Sequence, residues 1–130
     1  MDLLLQKAAD LANSRDTGYL PIAGRVAYVV SHGQSYASNG YAVRTQGIAR
    51  ALNQHGLETL CFVKQGRPWD IGAADDAVSP EMCVDGVRYI HSRWPDGIRP
   101  DSELVQLETA ARQLEESFHI YRPEAVVAAS

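Results

Sequence analysis

The sequence predicts an α/β fold: a Rossmann-like, three-layer parallel sheet with strand order 3-2-1-4 and flanking helices. Three observations carry this. Arg25–Val30 reads RVAYVV, and Val26–Val30 is an apolar run with no polar alternation, as suits a strand buried on both faces. After the polar loop Ser31–Gly40 the period becomes helical, with Val43, Gly47, Ile48, Ala51 and Leu52 on one side. Glu58–Val63 (ETLCFV) then returns as a second strand, giving a βαβ unit whose crossover is expected to be right-handed.

The first helix is expected to begin near Ser38 or Asn39, both good N-cap residues, and to stop at Gly56 after His55. Gln46, Arg50, Asn53 and Gln54 are assigned to its solvent side. Upstream, Leu3–Ser14 reads as an amphipathic helix, with Leu4, Ala8, Leu11 and Ala12 on one side. It is an extension that either docks on the domain or packs on a second lobe. Arg15–Gly24, with Gly18, Pro21 and Gly24, reads as a connector, so residues 1–24 are set apart from a domain at 25–130.

Lys64–Pro80 has no apolar period and reads as a long surface loop, which often borders a site. Within it, Trp69 is favoured as a local hydrophobic plug over a ligand-facing ring. Met82–Val84 and Val87–Ile90 flank Asp85-Gly86, a hairpin signal whose second arm is counted as the third strand. Asp101 or Ser102 can cap a helix to about His119, with the seam Leu104, Leu107, Ala111, Leu114 and Phe118 facing the core. Pro123 breaks the chain, and Ala125–Ala129 (AVVAA) reads as a fourth buried strand. The chain stops at Ser130 with no helix to cover that edge, so a fragment of a longer chain is expected.

With 130 residues the chain is one domain at most. Hydrophobic content of 45% and charged content of 22% are those of an ordinary globular domain. A net charge of −4 implies no basic face and argues against nucleic acid as a partner. There is neither a transmembrane-length apolar run nor a secretory signal, so cytoplasmic residence is expected, with room for peripheral contact at a membrane. Cys61 and Cys83 sit in apolar runs and read as buried free thiols.

In the expected strand order, the first and fourth strands flank the topological switch point, where open α/β sheets bind ligands. The loop Ser31–Gly40 and Ser130 lie there. A strand, a glycine-containing loop and a helix N-terminus form an anion site. Arg44, in the first helical turn, either leans over the crevice to meet an anion or pairs with a loop carboxylate. Asn39 and Gly40 admit positive φ or close backbone approach, or serve a plain loop-to-helix turn. His32 could touch a ligand or act as an acid or base, though a backbone-bonded loop histidine is the simpler reading. His55, His91 and His119 read as structural. The candidate binding set is His32, Ser38, Asn39, Gly40, Tyr41, Arg44 and Ser130; no catalytic residue is assigned. The chain lacks GxGxxG, GxxxxGK[ST], HExxH, GxSxG and any paired metal-ligand motif.

The segment SYASNGYAVRTQGIARALNQHG (residues 35–56) resembles the first loop and helix of retaining GT-B glycosyltransferases of family 4. DGVRYIHSRWP looks like that family's Asp-Gly-Val hairpin strand, and RPEAVVAAS like its fourth strand. The resemblance runs from about Arg25 to the end, and NGYAVRT is its most specific part. It implies two Rossmann-like domains facing a cleft, with this chain as the N-terminal, acceptor-side one. It further implies a hexosyltransferase moving a sugar from a nucleotide-sugar donor to a sugar or lipid-linked acceptor in glycan or cell-envelope synthesis. The C-terminal domain is a further implied partner, and no metal or other cofactor is expected. The family's glycine loop maps onto Asn39 and Gly40. Its fourth-strand histidines are replaced here by Ala128, Ala129 and Ser130. This chain alone is expected to be inactive. Another GT-B enzyme, such as a sugar-nucleotide epimerase, and a non-catalytic α/β interaction module remain the alternatives.

Overall fold

The computed structural model describes residues 18–129. The expected helix at Leu3–Ser14, residues 15–17 of the connector and Ser130 lie outside the described residues. The chain runs β1 (Ile22–Val30), α1 (Gly40–Gln54), β2 (Glu58–Val63), β3 (Glu81–Val84), β4 (Val87–Ile90), α2 (Glu103–Tyr121) and β5 (Pro123–Ala128). It is an α/β fold with a mostly parallel sheet, compatible with the Rossmann-like class.

The sheet has five strands in the order β3-β4-β2-β1-β5, which corrects the expected order 3-2-1-4. The difference comes from the hairpin. Asp85 (φ 48°) and Gly86 (φ 81°) turn the chain back on itself, so β3 pairs antiparallel with β4 and becomes the outer edge. The other pairings are parallel. The Val26–Val30 run is interior, between β2 and β5. β1 starts earlier than expected, at Ile22. Its register with β5 shifts between Ile22 and Val26, where Gly24 takes φ 78°.

Alternation along the strands separates two cores. Tyr28, Val30, Cys61, Val63, Val87 and Tyr89 pack with Ala49 of α1 on one face. Ala27, Leu60, Phe62 and Ile90 pack with Leu114, Phe118 and Tyr121 of α2 on the other. Phe62 meets Phe118 and Tyr121 edge-on, at centroid distances of 5.4 and 5.7 Å.

Both helices are capped as expected. Asn39 Oδ1 accepts from the Ala42 amide at 2.9 Å, and Ser102 Oγ from Val105 at 3.4 Å. The sheet-facing stripe of α1 differs from the expected one. Ala42, Thr45, Gln46 and Ala49 are buried, whereas Val43 and Ile48 are exposed. Gln46 can go inward because its polar ends are met there. Its Nε2 donates to the Val84 carbonyl at 2.8 Å, and its Oε1 accepts from the Tyr89 hydroxyl. Small Ala49 packs in the same cluster as the ring of Tyr89.

Two further expectations are corrected. β5 is not buried: beyond Pro123 its residues are exposed, Val126 at 53% and Val127 at 46%, because β5 borders the sheet. Cys83 is also exposed, on edge strand β3, whereas Cys61 is buried and its thiol pushed up to about 12 by burial. Among the described residues no helix is long and apolar enough to cross a membrane.

Candidate functional site

The parallel strands end together at Val30, Val63, Ile90 and Ala128, so the loops after β1, β2 and β4 share one rim with Ala129. The loop after β1 is held close to the sheet. A Cβ at Gly33 would stand 2.8 Å from the Tyr89 ring, so only glycine lets the backbone pass there. Ser35 Oγ meets Nε2 of buried His91 at 2.7 Å, and His91 Nδ1 donates to the Ser79 carbonyl at 2.8 Å. That is a hydroxyl–imidazole pair with an orienting carbonyl. His91 is only 5% exposed, and the pair acts as a strut between loops.

The predicted residues His32, Tyr41 and Arg44 come together where β1 meets β5. His32 stacks on Tyr41 at 5.8 Å, and the Arg44 guanidinium lies 5.7 Å from the Tyr41 ring centroid. With Tyr28, Ser31, Thr45 and Ala129 they line a crevice of about 20 Å³. That volume is near one water molecule, so a ligand here would rest on an open shelf. Arg67, from the loop after β2, reaches over: its Nη1 lies 3.2 Å from His32 Nδ1 and 3.3 Å from the Ser31 carbonyl. Arginine can only donate, so the His32 nitrogen facing it is unprotonated. Burial first, then Arg67 and Lys64, holds the His32 imidazole below its usual range.

The other predicted residues are placed as follows. Ser38 is exposed just before the helix. Asn39 has φ −71° and spends its carbonyl oxygen on the α1 cap, so it does not adopt the positive φ considered for it. Gly40 opens α1, is not among the positive-φ glycines, and would offer open space to a Cβ. Its fitness for close approach rests on that space. Ser130 lies outside the described residues. Arg44 has no carboxylate partner among the described residues, which leaves the anion role open to it.

A second set was not singled out from sequence. Lys64, Gln65, Arg67, Trp94 and Arg99 surround a groove that runs from the rim to the first turns of α2. The segment Lys64–Asp70 forms part of its wall, with a 3₁₀ turn at Trp69–Ile71. Gly66 (φ 85°) slips beneath the Trp94–Asp70 hydrogen bond, and its amide donates to the Ser92 carbonyl at 2.8 Å. The signal available in sequence was the cluster Gly66-Arg67-Pro68, a sharp turn carrying a cation. Trp69 is held in its own loop: the Arg93 guanidinium covers its ring at 4.0 Å and its Nε1 donates to the Asp75 carbonyl at 3.3 Å.

Chemically, the rim offers cations and the amides of an α1 N-terminus, which suit the binding of negative charge. Among the described residues no group of three His, Cys, Asp or Glu could hold a metal ion. No known protein-family model, curated protein or solved structure matches this chain.

Proposed function

We propose that the chain is the N-terminal, acceptor-side domain of a GT-B glycosyltransferase resembling family 4. The whole protein would move a hexose from a nucleotide-sugar donor to a sugar or lipid-linked acceptor in the cytoplasm, in glycan or cell-envelope synthesis. The observation that carries this reading is the placement of the α1 N-terminus and Arg44 at the sheet's carboxyl rim, between β1 and β5. A leaving diphosphate needs fixed positive charge as the glycosidic bond breaks, and helix amides with an arginine supply it. The crevice is an open shelf, so the donor would need a second wall from the C-terminal domain.

The test is a titration of the chain with uridine and guanosine diphosphates, following the backbone amides of residues 38–44 by NMR. Saturable shifts confined to these amides are expected, with about tenfold weaker binding in Arg44→Gln. Unmoved amides at millimolar diphosphate would reject the reading. The exposure of Val43 and Ile48 on α1 favours one second reading, a non-catalytic interaction module, which predicts that null result.

A further inference from the structure

We propose that the groove between Lys64–Asp70, Trp94 and the start of α2 binds a small organic anion with an apolar arm. Lys64, Arg67 and Arg99 hold its head, and Leu107, Ala110 and Leu114 receive its arm. This inference does not rest on the transferase reading.

Shape comes first. The groove is a cavity of about 320 Å³, lined by Lys64, Arg67, Trp94, Arg99, Leu107 and Ala110 among others. It shares Lys64, Gln65 and Ala110 with a second cavity of about 190 Å³. The floor of that second space is apolar: Val29, Phe62, Leu114 and Ala128. Ligand sites of small molecules are typically of this kind, mostly apolar with a few convergent polar groups. The pair of cavities lies beyond the strand carboxyl ends, where open α/β sheets bind ligands.

Charge comes second. Arg25, Arg88 and Arg93 each have a carboxylate within salt-bridge distance. Lys64, Arg67 and Arg99 have none among the described residues. Arg67 is half-buried, and its known contacts include a carbonyl and an imidazole, so its charge is solvated but not neutralised. Two carboxylates border the groove, Asp70 and Glu103. Asp70 Oδ2 already accepts from Trp94 Nε1 at 2.9 Å, and Glu103 sits in the first turn of α2, where the helix dipole favours it. Three cations against two carboxylates leave a positive balance for a guest. The apolar floor excludes a bare inorganic ion as the best fit, and the cations exclude a neutral one.

Third, the walls are already built. Gln65 Nε2 donates to the Arg93 carbonyl at 2.6 Å, and the Asp70 amide to the Gly66 carbonyl at 2.9 Å. The Lys64 amide donates to the Val30 carbonyl at 2.8 Å and the Arg67 amide to the Lys64 carbonyl at 3.0 Å, which ties the Lys64 and Arg67 backbone in place.

The test is calorimetry on the full chain at low salt with hexyl phosphate, inorganic phosphate and hexanol, with NMR to map the site. Hexyl phosphate is expected to bind at least about tenfold tighter than either of the other probes, shifting amides of residues 64–70 and 106–110. The exposed pair Lys64→Gln/Arg99→Gln should weaken hexyl phosphate about tenfold and leave hexanol unchanged, with an unaltered melting temperature. Leu107→Asn should weaken hexyl phosphate and leave inorganic phosphate unchanged. Equal affinity for hexyl and inorganic phosphate overturns the proposal, as does equal affinity for hexanol. Shifts confined to residues 38–44 also overturn it while leaving the diphosphate reading standing.

Discussion

The hydroxyl of Ser35 sits 2.7 Å from His91 Nε2, while Nδ1 on the far side of the ring donates to the Ser79 carbonyl. Nδ1 faces a carbonyl and must donate, and in the neutral ring Nε2 then accepts from the Ser35 hydroxyl. Burial, the larger effect, lowers its pKa below 6.5, and the Ser79 bond opposes this in part. Protonation therefore favours the unfolded chain. The stabilising contribution is complete above about pH 6.5 and is lost as pH falls through the folded-state value. His32, also lowered, acts with the same sign. An NMR titration should place the His91 midpoint below 6.5, and urea midpoints should fall on acidification across that window. A midpoint above 6.5 would refute the assignment.

Replacing Gly40 by alanine should stabilise the chain by about 0.5–1 kcal/mol in urea unfolding. The site is the first helical residue, its φ is not positive, and a methyl group would meet nothing within 4 Å. If the diphosphate reading holds, the same change weakens diphosphate binding, because that open space is where the ligand approaches. Stability and affinity would then move in opposite directions.

Gly66→Ala should cost about 2–4 kcal/mol. The new Cβ would overlap Trp94 Nε1 and Asp70 Oδ2, and φ is 85°. Gly72→Ala is the control: φ is 96°, but nothing lies within 4 Å. It should cost only the backbone strain, about 1–2 kcal/mol. Equal losses in the two variants would show that the overlap is relieved.

Tyr89→Phe should destabilise by about 1–3 kcal/mol, because it strips the partner from the buried Gln46 Oε1. Adding Gln46→Leu should recover part of that loss by removing the orphaned acceptor. Additive losses in the double variant would argue against the hydrogen bond.

Local chemistry made several elements legible. The Val26–Val30 run, the Asp85-Gly86 turn and the caps Asn39 and Ser102 each act within a few residues of themselves. The face of α1 was not legible in the same way. Gln46 looks like a surface residue until Val84 and Tyr89, 38 and 43 positions away, supply its partners. β5 reads as buried because its residues are apolar, yet burial depends on neighbours that AVVAA does not encode. At the rim, His32, Tyr41 and Arg44 come together within one βα unit. Arg67 joins them from 35 positions beyond His32, and Arg99 enters through another loop still. Such convergence belongs to the fold and leaves no spacing to find.

The bond from the Gly66 amide to the Ser92 carbonyl has a kinetic meaning as well. It ties the loop after β2 to the loop after β4, so the two walls are joined in the folded chain. A guest settling against Lys64 and Arg67 would meet a surface with little left to freeze, so its residence time, rather than a slow conformational search, would govern how tightly it is kept.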